Sequence, residues 1–135
     1  MSITALSLTG FIVWTLALLL LMEIIRTKLV LTKAVAANAF RPDNSNLSPF
    51  MQRLARAHAN CLEGLPIFGG LMLVAMLTEQ SAITDPLAPV LLVARMGQSL
   101  IHLVSVSAAA VTLRFTAFVV QLLIACFWSY RLLLG

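Results

Sequence analysis

The order of apolar and polar positions divides the chain into four apolar segments separated by short polar breaks. The first segment begins at Ile3, and we expect its helix to extend to about residue 36. Ser48 followed by Pro49 is a typical helix start, with serine at the N-cap and proline at the first helical position. This start predicts a second helix over about 49–78, and two further helices are predicted over about 86–106 and 113–133. Between the last two, the small residues 105–112 predict a turn.

Each segment has about the length of a membrane-spanning helix, which needs about 20 mostly apolar residues. The composition supports this interpretation, because 61% of the residues are hydrophobic and only 10% are charged. Soluble domains carry about 25% charged residues. Residues 1–22 contain no charged side chain and lack the basic start of a signal peptide, so we expect them to be retained. The sequence therefore predicts an all-α integral membrane protein, a four-helix bundle formed by one domain over 1–135.

The distribution of basic residues predicts the orientation in the membrane, because lysine and arginine favour the cytoplasmic loops. The second loop carries Glu79 and Asp85 and no basic residue. The basic residues around the first loop are Arg26, Lys28, Lys33, Arg41, Arg53 and Arg56. We therefore expect the first and third loops to face the cytoplasm. The net charge of +4 then reflects topology and does not indicate a nucleic-acid partner. Trp128 and Tyr130, near the last helix end, are typical of interfacial anchors.

Two of the predicted helices carry polar side chains where lipid should not tolerate them. On the second helix Arg53, Arg56, Asn60 and Glu63 fall within a sector of roughly 80°, at about 100° per residue, and His58 points to nearly the opposite side. The third helix has a similar stripe, made by Arg95, Gln98 and His102.

An ionisable group at the centre of a membrane helix costs about 2.5–3.5 kcal/mol on insertion scales, so such groups face a protein interior or a wet cavity. The stripes therefore predict either a ligand cavity or ion pairs that join helices, with Glu63 and Arg95 as candidate partners. Counting residues inward from the second loop, at about 1.5 Å per residue, predicts that Glu63 and His102 lie at the same depth in the membrane. A cavity with arginines and one carboxylate suits an anionic or zwitterionic ligand, because arginine binds carboxylates and Glu63 would bind an ammonium group. The cysteines and histidines show no metal-ligand spacing.

The segment from Arg53 to Pro66 contains the pattern R-x-x-R-A-x-x-N-x-x-E-x-x-P. This pattern resembles the signature of the MAPEG family, the membrane-associated proteins of eicosanoid and glutathione metabolism. Ala94-Arg95, followed by polar residues three and seven positions later, resembles the third-helix motif of that family. The bacterial members are the closest likeness, which implies a bacterial inner-membrane location.

The resemblance implies a homotrimer of four-helix protomers, with glutathione bound between neighbouring protomers near the cytoplasmic side. By motif match, Arg56, Asn60 and Glu63 should hold glutathione, with Arg53 assisting. Arg95 and Gln98 should belong to the same polar network. Two residues are candidates for a catalytic role: Arg114, expected at the start of the fourth helix near the thiol, and His102, which stands where many members have tyrosine. The first-helix basic residue of the family has two candidates here, Arg26 and Lys33.

These observations leave two main functional hypotheses. The first is a membrane glutathione transferase that conjugates the thiolate of its co-substrate, glutathione, to lipophilic electrophiles, with lipid hydroperoxide peroxidase activity as a related ability. The second is a non-catalytic lipid-binding or scaffold protein of the same fold. A small transporter subunit is a third class, which is disfavoured because acids are not repeated along several membrane spans.

Overall fold

The computed structural model describes residues 1–135 and is entirely helical. Its helices are α1 (Ile3–Leu31), α2 (Pro49–Leu77), the short α3 (Ser81–Thr84), α4 (Ala88–Val104) and α5 (Ala108–Leu134). By length and composition α1, α2 and α5 can each cross a membrane, and α4 is a shorter apolar helix of 17 residues. The prediction of an all-α membrane bundle with four main helices is confirmed.

The helices pack around α2 and α4, which contact each other at the centre of the bundle. α1 packs against both of them, and α5 packs chiefly against α4. The buried residues of α1 recur every three or four positions along one face: Thr4, Ser7, Phe11, Thr15, Leu18 and Met22. This spacing is that of a helix with one face packed against its neighbours.

Two helix ends differ from the predicted ones. α1 ends at Leu31, not near residue 36, because Lys33 adopts a left-handed conformation (φ 60°) and the Ala34 N–H donates to the Leu29 carbonyl at 2.9 Å. Such a bond closes the last turn of a helix. α5 begins at Ala108, not near residue 113. The reason is that the Ser107 hydroxyl caps the Ala110 N–H at 3.2 Å, and the alanines that follow favour helix.

The second loop is tied to the start of α1. The Thr4 N–H donates to Asp85 Oδ1 at 2.9 Å, and the hydroxyl groups of Thr4 and Thr84 lie 2.6 Å apart. Both threonines are fully buried. Because this loop also contains the helical turn α3, it sets how far α2 and α4 are displaced along each other.

Trp128 is a core residue and not the interfacial anchor that its position predicted. It is fully buried, in a cluster that also contains Phe11, Phe68, Met72 and Leu91. Tyr130, two residues later, is exposed. Trp128 lies fourteen residues after Arg114 and shares its helix face, which explains why it turns inward.

Candidate functional site

Three pairs of neighbouring residues define the register of α2 against α4: Asn60 with His102, Cys61 with Ser99, and Gly64 with Arg95. Asn60 Nδ2 lies 3.3 Å from His102 Nδ1, and a Cβ at Gly64 would lie 2.9 Å from Arg95 Nη2. Glu63 is therefore level with Arg95, and the prediction that it lies level with His102 is wrong. The physical reason is α3. Because the second loop contains this helical turn, the number of residues from the predicted helix ends does not give the depth of a residue in the membrane.

A cavity of about 440 Å³ lies between α2, α4 and α5, and we call it the deep cavity. Its polar lining consists of Asn60, Glu63, Arg95, Gln98 and Arg114. Its apolar lining comes mainly from α5 and consists of Ile67, Phe68, Val111, Phe115, Phe118 and Leu122. Glu63 and Phe115 are exposed, so the cavity opens on the protomer surface between α2 and α5.

A second cavity, of about 460 Å³, lies nearer the first loop, and we call it the loop-side cavity. Arg53, Arg56 and His102 line it, together with Asp43 of the loop. The backbone N–H of Ser45 donates to Asp43 and holds the pKa of that carboxyl below its usual range, so Asp43 is ionised at neutral pH. The bond between Asn60 and His102 joins the two cavities, because each residue lines one of them.

Arg95 is the most deeply buried charge of the site, at 1% exposure. Its guanidinium carbon lies 5.6 Å from the ring centroids of both Phe11 and Phe68, and its Nε and Nη2 atoms have no hydrogen-bond partner. It forms no ion pair with Glu63, since the only salt bridge of the protomer joins Arg26 to Glu23. The ion pair between the two stripes, one of the two alternatives that the sequence left open, is therefore absent.

Arg114 lines the deep cavity together with Arg95, and its Nε atom is buried without a partner. Because α5 begins at Ala108, Arg114 lies in the second turn of the helix and not at its start. The helix dipole acts within the first turn only. Any stabilisation of a negative charge here would come from the guanidinium itself.

The other basic residues near the site differ in whether they bind a partner within the chain. Arg53 Nε donates to the Leu103 carbonyl at 2.9 Å and so binds a free carbonyl at the end of α4. Arg56 and Glu63 are exposed on the protomer surface. His58 lines neither cavity and lies on the α1 side of α2, near Glu23.

Arg26, one of the two first-helix candidates, is occupied in holding the first loop. Its Nε donates to Asn44 Oδ1 at 3.1 Å, and Asn44 Nδ2 donates to the Met51 carbonyl at 2.7 Å. Asn44 is fully buried and left-handed (φ 55°), a conformation that asparagine tolerates better than most residues. Within the protomer Arg26 therefore acts on the loop and faces neither the deep nor the loop-side cavity.

Sequence reasoning did not identify Gln121 of α5. This residue is fully buried, and its Nε2 donates to Gln98 Oε1 at 2.8 Å and to the Ala117 carbonyl at 3.0 Å. The sequence did contain an indication of this role, because Gln121 is an amide in an apolar span and lies seven residues after Arg114. That spacing places both side chains on one helix face.

The fold and the site define a multi-pass membrane protein with an open cavity between its helices, lined by both charged and apolar residues. Comparison with family models assigns residues 4–134 to the MAPEG family, so the chain belongs to that family. The resemblance of its second helix is thereby confirmed. Membership supports a membrane function in glutathione or eicosanoid metabolism in general terms. Comparisons with curated proteins and with solved structures give no match.

Proposed function

We propose that this protein is a membrane glutathione transferase that conjugates the glutathione thiolate to lipophilic electrophiles, with reduction of lipid hydroperoxides as a related activity. One observation carries the proposal: Arg95 and Arg114, neither of which forms an ion pair, line the same cavity as a wall of phenylalanine and aliphatic side chains. Such a cavity can hold an anion beside an apolar molecule, which is what the reaction requires.

The donor set fits glutathione, a tripeptide with two carboxylates, one amino group and a thiol. The free fork of Arg56 suits a carboxylate, Glu63 suits the ammonium group, and the Asn60 amide suits a peptide bond. Neither Arg56 nor Glu63 forms an ion pair within the chain. The deep cavity, of about 440 Å³, falls within the range of about 300–1,000 Å³ that is typical of small-molecule sites.

Bound glutathione would supply the thiol that becomes the nucleophile. The role of Arg114 is to stabilise the negative charge at the sulfur, because an adjacent cation lowers a thiol pKa. His102 is the rival for this role, but it lines the loop-side cavity and its Nδ1 is engaged with Asn60. The apolar residues of α5 would hold the electrophile and exclude water from the reacting sulfur.

We infer that the working form is a homotrimer. Arg56 and Glu63 are exposed on the protomer at positions within α2, and a charge facing lipid at the bilayer centre costs about 2.5–3.5 kcal/mol on insertion scales. A neighbouring protomer that covers this surface removes that cost and encloses the deep cavity. The basic first loop supports an orientation with the first and third loops in the cytoplasm. The likeness to bacterial members of the family supports a location in a bacterial inner membrane.

Isothermal titration of the detergent-solubilised protein with glutathione tests the proposal. A tripeptide in which serine replaces the cysteine is the matched control ligand. We expect glutathione to bind more tightly than the control above the pKa of the bound thiol, because only the thiolate uses the cationic site. A generic conjugation assay on the same sample should then show turnover. No binding of glutathione would contradict the proposal.

The apolar wall also favours the second hypothesis, a lipid-binding protein without catalysis. Val111, Phe115 and Leu122 are exposed and could contact an acyl chain directly. Under this hypothesis a fatty acid would bind to the purified protein, while neither glutathione binding nor conjugation would be measurable.

A further inference from the structure

Gln98 and Gln121 form a pair of buried amides between α4 and α5, and the orientation of both can be deduced. Gln121 Nε2 lies 3.0 Å from the Ala117 carbonyl oxygen. Because a backbone carbonyl only accepts hydrogen bonds, the Gln121 atom beside it must be the amide nitrogen. The same nitrogen lies 2.8 Å from the Gln98 amide, so the Gln98 atom that faces Gln121 must be the oxygen.

The orientation of Gln98 has a consequence for the deep cavity. With its oxygen bound to Gln121, its amide nitrogen points the other way. This nitrogen makes no hydrogen bond within the chain and is not enclosed, and Gln98 lines the deep cavity. Its two N–H groups are therefore free to donate in the cavity that Arg95 and Arg114 also line. All of these groups are donors, and none can accept a hydrogen bond.

The position of Gln98 indicates which part of a ligand it would meet. It lies one turn further from the first loop than His102. It also faces α5, whose Phe115 and Phe118 form the apolar wall. If glutathione binds as proposed above, its charged ends lie toward Arg56, and its sulfur must lie toward the apolar wall, where a lipophilic partner can reach it.

We propose that Gln121 is a positioning residue, which holds the Gln98 amide so that an N–H of Gln98 donates to the thiolate sulfur of bound glutathione. This inference rests on the proposed function. Gln121 itself is fully buried and does not line the cavity, so it acts only through Gln98. Without Gln121 the Gln98 amide can rotate and present its oxygen, which would repel a thiolate.

The alternative is that the two amides only bind α4 to α5. Hydrogen bonds between membrane helices are common, and their loss affects packing in general. A structural bond would change the binding of every ligand in the cavity alike. A positioning bond should change only the ligand that carries a negative sulfur, and this difference defines the experiment.

The variant Gln121→Met keeps a side chain of similar length but removes the donor. The pKa of the bound thiol is measured from thiolate absorbance during a pH titration of the glutathione complex, and binding of S-methylglutathione is measured in parallel. We expect the pKa of the bound thiol to rise by about one in Gln121→Met, the effect of losing one hydrogen bond to a charged group. S-methylglutathione affinity should change less than about twofold, because its sulfur carries no charge.

Three further variants make the result specific. Gln98→Met should raise the thiol pKa by the same amount. The double variant should add little, because both changes remove one interaction. Thr116→Val is the matched control on α5, since the Thr116 hydroxyl donates only to the Thr112 carbonyl of its own helix. It should leave the thiol pKa unchanged.

Two outcomes would overturn the inference. One is an unchanged thiol pKa in Gln121→Met together with equal weakening of both ligands, which would show a packing role. The other is full additivity of the two glutamine variants, which would show independent action. Failure of the unmodified protein to bind glutathione or S-methylglutathione would contradict the proposed function itself. This outcome differs from the two above because it is seen before any residue is substituted. If Gln121→Met does not fold, Gln98→Met alone decides, because an unchanged thiol pKa in that variant also contradicts the proposal.

Discussion

Individual residues of the deep cavity carry charge that the protomer does not neutralise. Arg95 is buried against two aromatic rings, which offer a cation a weak electrostatic attraction but no hydrogen-bond acceptor. Arg114 also keeps a buried, unpartnered Nε. Both arginines line the deep cavity and neither forms an ion pair, so an anionic ligand in this cavity would meet two charges that nothing in the chain neutralises.

Replacing Arg114 tests the proposed chemistry. Arg114→Leu should lower the turnover of conjugation and reduce the thiolate absorbance of bound glutathione, because it removes the cation beside the sulfur. Glutathione affinity should largely persist, since the charged ends of the ligand bind elsewhere. His102→Phe is the comparison, and we expect it to retain most of the thiolate signal. The assignment moves to His102 if the two results are reversed.

The α2 stripe makes a separate prediction about binding. Arg56→Ala and Glu63→Gln should each weaken glutathione binding by about 1.5–3 kcal/mol, the range for hydrogen bonds to charged groups. His58→Ala is the matched control on the same helix, because His58 lines neither cavity, and it should have a much smaller effect. Titration calorimetry compares the three. A loss in His58→Ala equal to that in Glu63→Gln would refute the one-face interpretation.

At the scale of the elements, the site depends on the close approach of α2 to α4. Gly64 makes this approach possible, because a Cβ there would lie 2.9 Å from Arg95 Nη2 and 3.0 Å from the Phe68 ring. The guanidinium has little room to withdraw, since Phe11 and Phe68 enclose it. Packing of α2 against α4 therefore fixes the charge of Arg95 in the cavity.

Gly64→Ala should destabilise the protein by about 1–2 kcal/mol through overpacking, and should also reduce glutathione binding by displacing Arg95. Gly70→Ala is the control on the same helix, because a Cβ there meets nothing within 4 Å. Since alanine favours helix more than glycine does, Gly70→Ala should be neutral or stabilising by up to about 1 kcal/mol. Thermal unfolding in detergent measures both. Equal destabilisation would show that the effect is one of helix propensity.

The bond between the second loop and α1 gives a further prediction about an element. Thr4→Val removes the hydroxyl that binds Thr84 and Asp85, and should cost about 1–2 kcal/mol of stability because two hydrogen bonds between α1 and the second loop are lost. Thr9→Val is its control, because the Thr9 hydroxyl donates only to the Ala5 carbonyl of its own helix and is exposed. The same unfolding measurement should show little change for Thr9→Val.

At the scale of the whole molecule, the single chain leaves charged side chains and one side of a cavity uncovered. It exposes Arg56 and Glu63 on α2 and leaves the deep cavity open on one side. A soluble protein could leave such groups in water, but a membrane protein must cover them or bring water to them. Assembly with other copies of the chain meets this requirement with the surface already present.

We expect trimers to persist in mild detergent. Mass photometry or light scattering should give a single trimeric species. A monomer in the unmodified protein would count against the trimer and against a site shared between protomers.

The sequence by itself determined the class of fold and the helix faces on which the candidate site residues lie. Apolar segments of membrane length required helices, because lipid offers backbone groups no hydrogen-bond partner. The helical spacing of Arg53, Arg56, Asn60 and Glu63 required one common face. These properties are local, so composition and periodicity were sufficient to predict them.

Tertiary structure alone decided which polar groups meet. The register that brings Arg95 to Gly64 depends on a helical turn in the second loop, and the position of Arg114 depends on the serine cap that starts α5 early. Gln121 became part of the site only when α5 packed against Gln98. Contacts between helices depend on the axial displacement of one helix along another, and a shift of one turn, about 5.4 Å, exchanges every partner. No periodicity within a single helix contains that displacement.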